Sequence, residues 1–136
     1  CVAVKKRYVE NDELDKGMRM HLNLGHTLGH ALEKLSNYTL LHGFAVAKGI
    51  ALIAKLSRAR GMLNNTDYQR IIDILNKYGY DLTCPYETDE LLNIINIDKK
   101  VINGAINLIL IRTIGEVVTE KIILKNLEDC LSVCCD

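Results

Sequence analysis

The sequence has no excess of charge of either sign, because 17 Lys and Arg residues balance 17 Asp and Glu residues among 136. Such a chain lacks the basic surplus that neutralises phosphates, so neither nucleic-acid binding nor a basic membrane-binding surface is expected. It also lacks an apolar run of the roughly 18 to 20 residues that a membrane span needs. The longest candidate, residues 43–56, is interrupted by Lys48 and Lys55.

No secretion signal is expected from the first residues. The first residues, "CVAVKKRYVENDE", do not place basic residues before an apolar stretch, as a signal peptide would. Five cysteines, an odd number, indicate reduced thiols and a cytoplasmic location rather than a disulfide framework. Three of them lie near the C-terminus, but no second cysteine pair completes a tetrahedral zinc site there: Cys130, Cys134 and Cys135.

Hydrophobic periodicity predicts one mainly α-helical domain with a small antiparallel β-hairpin. The hairpin is expected at residues 105–122, which are rich in β-branched residues, with Gly115 at the tight connection. The third helix is apolar on most faces, which is typical of a central, buried helix. Six helices are predicted, at roughly residues 1–11, 25–35, 44–60, 66–78, 88–97 and 124–135.

Local signals suggest where several of these helices begin and end. Thr66 is expected to cap the fourth helix while Gln69 reaches back, as in a capping box. Thr88 is the expected cap of the fifth helix. Gly61 and Gly79 are expected to end the third and fourth helices. No internal repeat, low-complexity tract or linker interrupts the pattern.

The stretch "NLGHTLGHALEKL", residues 23–35, contains the first candidate site. His26 and His30 are four residues apart, so on a helix they project from the same face. Gly25 and Gly29 would form a second, parallel line beside them. Glycines weaken a helix but allow another backbone or a ligand to approach closely. Histidines beside glycines therefore favour a binding site over ordinary packing.

A third histidine, His42, follows sixteen residues after His26, and the connection is long enough to fold it back. Catalytic zinc sites commonly use three protein ligands and keep one open position, and imidazole is a preferred ligand. No nearby carboxylate has an obvious ligand role, although Glu33 is suitably placed to orient a histidine from outside the coordination sphere. A zinc-protease motif is excluded, because Thr27 stands where that motif requires glutamate.

Three segments, "RMHLNLGHTLGHALE", "LLHGFAVAKGIALIA" and "DKKVINGAINLILIRTIG", resemble the C-terminal domain of 3-dehydroquinate synthase, in the sugar phosphate cyclase superfamily. The resemblance implies a lyase of the shikimate pathway of aromatic amino acid biosynthesis. Its reaction converts 3-deoxy-D-arabino-heptulosonate 7-phosphate to 3-dehydroquinate plus phosphate. Bound NAD oxidises a substrate hydroxyl transiently, and zinc polarises that hydroxyl.

The resemblance also implies roles for individual residues. His26 and His42 match the family's zinc-ligand histidines, whose third partner is a glutamate upstream of this segment. His30 matches a catalytic histidine near the reacting part of the substrate, as a phosphate contact or proton carrier. The residues that match substrate-binding positions are Lys5, Arg19, Asn23, Lys99 and Lys100.

The implied cofactors are NAD and zinc, or another divalent metal such as cobalt. No strand followed by a Gly-rich phosphate turn is present, so residues 1–136 are expected to be a C-terminal helical domain that binds metal and substrate. The N-terminal NAD-binding domain would be absent, leaving this part inactive alone and its cofactors weakly held or missing. A homodimer and a small sugar acid phosphate substrate are implied as well.

Other interpretations remain open at this stage. A related sugar phosphate cyclase, making 2-deoxy-scyllo-inosose or a valiolone-type ring, would share the zinc scaffold. Iron-type alcohol and glycerol dehydrogenases are more distant alternatives. A hypothesis of another class is a non-catalytic helical association module whose histidines are merely packed.

Overall fold

The computed structural model describes residues 2–11, 18–97 and 104–135. Within these ranges, six α-helices and one two-stranded antiparallel sheet confirm the predicted mainly helical fold. A 3₁₀ helix, which the sequence patterns did not predict, covers Met18–Asn23. The other elements are α1 (Val2–Asn11), α2 (His26–Leu35), α3 (His42–Ala59), α4 (Asn65–Lys77), α5 (Thr88–Ile97), β1 (Ala105–Thr113), β2 (Glu116–Ile123) and α6 (Leu124–Cys135).

Helix α3 lies at the centre of the fold, as its apolar composition predicted. It contacts α2, α4, α6 and β1. The core is formed mainly by aliphatic side chains from these elements and α5, including Leu28, Leu32, Ile53, Leu56, Leu91, Ile106, Leu108, Leu110, Leu127 and Leu131. Among the described residues, no helix has both the length and the hydropathy to cross a membrane.

The buried Ser57 connects α3 to the sheet. Its hydroxyl donates to the Ile53 carbonyl at 2.7 Å and accepts from the Ile111 N–H at 3.0 Å. Strand β1 pairs with β2 as predicted, from Ala105 opposite Ile123 to Ile111 opposite Val117, and the register then shifts before Thr113. The buried Ser57 hydroxyl therefore has both a hydrogen-bond acceptor and a donor as partners, at the point where the sheet becomes irregular.

The predicted start of α4 was wrong. Its cap is Asn64, whose side-chain oxygen accepts the Asp67 N–H at 2.8 Å, and Thr66 lies inside the helix. Gln69 does not reach back but donates to Asp73 at 2.8 Å. The reason is that Asn64, in an extended conformation, is as good a cap as threonine and comes first in the chain.

The predicted cap of α5 was also displaced by one residue. Thr88 is the first residue of the helix, and the Glu87 carbonyl already accepts the Leu91 N–H at 3.3 Å. The Glu90 carboxylate accepts the Glu87 N–H at 2.9 Å, one half of a capping box. The glycine signals, in contrast, were confirmed, because α3 and α4 end before Gly61 and Gly79.

Asp67 ties α4 to the turn of the hairpin. Its carboxylate accepts the Thr113 hydroxyl at 2.6 Å and the Ile114 N–H at 3.3 Å, and it pairs with Arg70 at 3.2 Å. The Thr113 hydrogen bond, followed by that from Ile114, lowers the pKa of Asp67 below its ordinary value of 3.8. The ionised carboxylate therefore stabilises the folded state.

We expect Asp67→Asn to destabilise the protein at neutral pH and to lose that effect in acid. Because the folded-state pKa is lowered, the stabilisation is present above 3.8 and disappears as pH falls through the folded value. Urea denaturation midpoints of wild type and variant should differ at pH 7 and converge below pH 3.8. Asp73→Asn, an exposed position on the same helix, is the control. A difference that does not change with pH would contradict this assignment.

Candidate metal site

The site begins where α2 and α3 pass unusually close to each other. Gly25 was predicted to form a line with Gly29 along the helix. It instead precedes α2 as its N-terminal cap, with a φ of 76°. A Cβ at Gly25 would lie 2.7 Å from the Ile50 nitrogen, and one at Gly29 would lie 3.1 Å from the Ala45 carbonyl oxygen. The predicted close approach of another backbone is therefore confirmed.

Gly49 completes this contact from the α3 side, and the sequence patterns did not identify it. A Cβ there would lie 2.9 Å from the Gly29 nitrogen and even closer to the Gly25 carbonyl oxygen. The available signal was a lone glycine in the middle of an apolar helix, which usually has a packing reason. The three glycines allow the two helix backbones to touch.

A tight return loop brings the chain back from α2 to α3. Asn37 and Tyr38 both have positive φ, at 50° and 61°. The Glu33 carbonyl accepts the Tyr38 N–H at 2.8 Å and the Ser36 hydroxyl at 2.8 Å. Helix α3 then starts at His42, two residues before its predicted start, so this histidine occupies the first turn.

Three imidazoles converge as a result. Ring centroids of His26 and His42 are 5.4 Å apart, those of His26 and His30 are 5.8 Å apart, and those of His30 and His42 are 5.7 Å apart. The convergence of His26 and His42 is thus confirmed, while their roles as metal ligands remain predictions. The side chains of His30 and His42 are 37% and 56% exposed, so the cluster is open on one side.

Hydrogen bonds determine which ring nitrogens can bind a ligand. His26 Nδ1 lies 3.3 Å from the Leu24 carbonyl oxygen, which can only accept, so this nitrogen carries the proton. His42 Nδ1 lies 3.2 Å from each oxygen of the Glu33 carboxylate. In the neutral rings, both histidines therefore keep the lone pair on Nε2, the form in which imidazole binds a metal.

Glu33 stands between two of the imidazoles. Its side chain is only 14% exposed, and Oε2 lies 4.0 Å from His30 Nε2. One potential ligand atom from each of His30, Glu33 and His42 lies within 4.8 Å of the others. This grouping differs from the predicted ligand pair, because it includes His30 and Glu33 and omits His26. Imidazole nitrogen and carboxylate oxygen are ligand types that zinc prefers in proteins.

Three of the five predicted substrate-binding residues lie on described elements that precede α2 in the chain. Arg19 and Asn23 are on the 3₁₀ helix, which ends two residues before the α2 cap. Helix α1 packs against it through Tyr8 and His21, whose ring centroids are 6.3 Å apart, and carries the exposed Lys5. Lys99 and Lys100 fall outside the described residues.

A family model described as 3-dehydroquinate synthase C-terminal matches residues 1–101. The chain belongs to this family. It is 44% identical to 3-dehydroquinate synthase of Clostridium perfringens (strain SM101 / Type A) over 118 residues, which cover 85% of the chain and 34% of that enzyme. The chain thus spans about a third of the length of such relatives.

Solved structures share the fold. One is a 2-deoxy-scyllo-inosose synthase complexed with carbaglucose-6-phosphate, NAD+ and Co2+, with a TM-score of 0.81 and 21% identity. Another is the 2-epi-5-epi-valiolone synthase of Streptomyces hygroscopicus subsp. jinggangensis with NAD+ and Zn2+, with a TM-score of 0.77 and 22% identity. The matches cover 96% and 94% of the chain and 38% and 36% of the respective neighbours.

Proposed function

We propose that this chain is the metal- and substrate-binding part of a 3-dehydroquinate synthase. The enzyme would convert 3-deoxy-D-arabino-heptulosonate 7-phosphate to 3-dehydroquinate plus phosphate. The observation that carries the proposal is the convergence of three imidazoles beside a carboxylate whose side chain is only 14% exposed, in a domain of this family. If the histidines only packed against their neighbours, the rings of His26 and His42 would not both need to keep Nε2 available for a metal.

His26 and His42 are the proposed ligands of a divalent metal. Their Nδ1 atoms are hydrogen-bonded to the Leu24 carbonyl and the Glu33 carboxylate, so each Nε2 can donate its lone pair to a cation. A bound metal would polarise a substrate hydroxyl as a Lewis acid. The two structural neighbours were solved with NAD+ and with Co2+ or Zn2+, which supports this choice of cofactors.

Cationic side chains would hold the two anionic groups of the substrate. Arg19 can bind a carboxylate or phosphate through two parallel N–H donors, whereas Lys5, Lys99 and Lys100 supply point charges. Asn23 adds a neutral amide. Because the chain has a net charge of +0, these cations would attract the substrate locally rather than through overall charge.

His30 is the proposed proton carrier. Its ring centroid lies 5.8 Å from that of His26 and 5.7 Å from that of His42. From the next turn of α2, it would therefore reach a substrate bound beside those two rings. A positioned imidazole that gives or takes a proton typically contributes about 10²- to 10⁴-fold to a rate.

The remaining parts of the reaction are assigned to the rest of a longer protein. We propose that a second domain binds NAD and supplies the glutamate that is the third metal ligand. The described chain would then be inactive alone, and its own hold on metal would be weak, because catalytic zinc normally has three protein ligands. A homodimer is part of the same proposal.

A product assay on the intact protein that contains this chain tests the proposed substrate. With NAD+ and Zn2+, we expect the heptulosonate phosphate to be converted to 3-dehydroquinate with release of phosphate. Mass spectrometry detects the product. The second candidate is a cyclase like the fold neighbours, one of which was solved with carbaglucose-6-phosphate. Glucose 6-phosphate, the sugar that this carbocyclic compound mimics, is therefore the parallel test substrate. Turnover of that sugar alone would overturn the assignment as a dehydroquinate synthase.

Arg19→Lys should lower kcat/KM for the heptulosonate phosphate by about 10- to 100-fold. Losing one of two charge-assisted hydrogen bonds costs roughly 1.5–3 kcal/mol. The control is Arg112→Lys, an exposed hairpin position paired with Glu116 at 3.5 Å. Steady-state kinetics that respond equally to both substitutions would contradict a specific role for Arg19.

A further inference from the structure

We infer that Glu33 is a positioning residue for the metal site, with a carboxylate that holds the His42 ring so that Nε2 points toward the cation. Both carboxylate oxygens lie 3.2 Å from Nδ1 of that ring. The His42 side chain is 56% exposed on the first turn of α3, whereas the Glu33 side chain is 14% exposed. The less exposed group therefore restrains the more exposed one, whose ring would otherwise rotate.

The two proposed ligands depend on different partners. His26 Nδ1 meets the Leu24 backbone carbonyl, which no side-chain substitution removes. His42 Nδ1 meets a charged side chain, and a hydrogen bond to a carboxylate is roughly twice as strong as a neutral one. A carboxylate partner also increases the basicity of the opposite nitrogen as a ligand. His42 is thus the ligand whose orientation a substitution can change.

Glu33 acts on His42 in a second, separable way. Its backbone carbonyl accepts the Tyr38 N–H and the Ser36 hydroxyl, which shape the return loop. These bonds persist whatever side chain stands at position 33. A side-chain substitution therefore tests the carboxylate alone and leaves the loop that carries His42 in place.

Zinc affinity of the intact protein, measured by competition with a chelator, tests the inference. Loss of an outer partner of a metal ligand typically costs about 10- to 100-fold in affinity. We expect about 10-fold weaker binding in Glu33→Gln, whose amide oxygen still accepts from Nδ1, and about 100-fold weaker binding in Glu33→Ala. At saturation, the Co2+ absorption bands should keep their wild-type positions, because the ligands are unchanged.

The control is Glu128→Gln, an exposed carboxylate on α6, which should bind zinc as the wild type does. In a His42→Ala background, Glu33→Ala should add less than about a twofold change, because its effect passes through that ring. Equal weakening in both backgrounds, shifted Co2+ bands or an unchanged affinity in Glu33→Ala would each overturn the inference. Melting of the metal-free protein confirms that each variant is folded.

The inference rests on the proposed function only in taking His42 as a metal ligand. Zinc affinity is measured without sugar phosphate, so an error in the substrate class leaves the result intact. If His42→Ala itself binds zinc normally, the proposed metal assignment fails. That outcome differs from one in which His42→Ala weakens binding and Glu33→Ala does not, which overturns only the positioning role.

Discussion

His26→Ala and His42→Ala are each expected to weaken zinc binding by more than about 100-fold and to reduce turnover of the intact protein to background. Even an outer partner of a ligand costs about 10- to 100-fold in affinity, so a ligand itself should cost more. The two rings lie 5.4 Å apart, and each supplies its own Nε2 to the proposed site. Removing one ring therefore removes a ligand atom that the other ring cannot supply. Metal analysis of purified protein after dialysis measures the loss directly.

The other two histidines serve as matched controls. His21, on the 3₁₀ helix, packs against Tyr8 of α1 and is not one of the three clustered imidazoles, so His21→Ala should keep its zinc. His30→Ala should also keep zinc while losing about 10²- to 10⁴-fold in turnover, as expected for a proton carrier. If zinc is lost with His30 and retained with His26, the grouping of His30, Glu33 and His42 is the true ligand set.

Spacing alone predicted part of this cluster. His26 and His30 are four residues apart, and the helix places them together. The length of the connection made His42 a candidate, and only the family resemblance matched it to a metal-ligand position. The position of His42 depends on consecutive positive φ values at Asn37 and Tyr38. Asparagine adopts positive φ more often than most residues, but tyrosine rarely does, so the sequence did not predict the pair.

Periodicity also predicted the helices and the hairpin, because the burial of apolar faces determines them. It could not predict polar groups whose partners are distant in sequence. Lys48 was interpreted only as an interruption of an apolar run, yet it is buried and bonded to Asp81 at 2.8 Å and to the Thr83 carbonyl at 2.7 Å. The Lys48 ammonium holds the pKa of Asp81 well below its ordinary value. Thirty-three residues separate these partners, beyond any local pattern.

Gly49→Ala should destabilise the protein by about 3 kcal/mol, near the upper end of the usual range for overpacking. The added Cβ would meet backbone atoms of Gly25 and Gly29, which cannot rotate away as a side chain would. Helices α2 and α3 would have to separate, and the histidines on each would move apart. Zinc affinity should therefore fall together with the denaturation midpoint, both measured on the intact protein.

Two other glycines make this a graded test. A Cβ at Gly43, also in α3, would meet nothing within 4 Å, so Gly43→Ala should be neutral or slightly stabilising because alanine favours helices. Gly29→Ala should lie between the two, since its Cβ would meet the Ala45 carbonyl oxygen at 3.1 Å. If Gly49→Ala matches Gly43→Ala in stability and zinc affinity, close contact between the helix backbones is not what holds the imidazoles together.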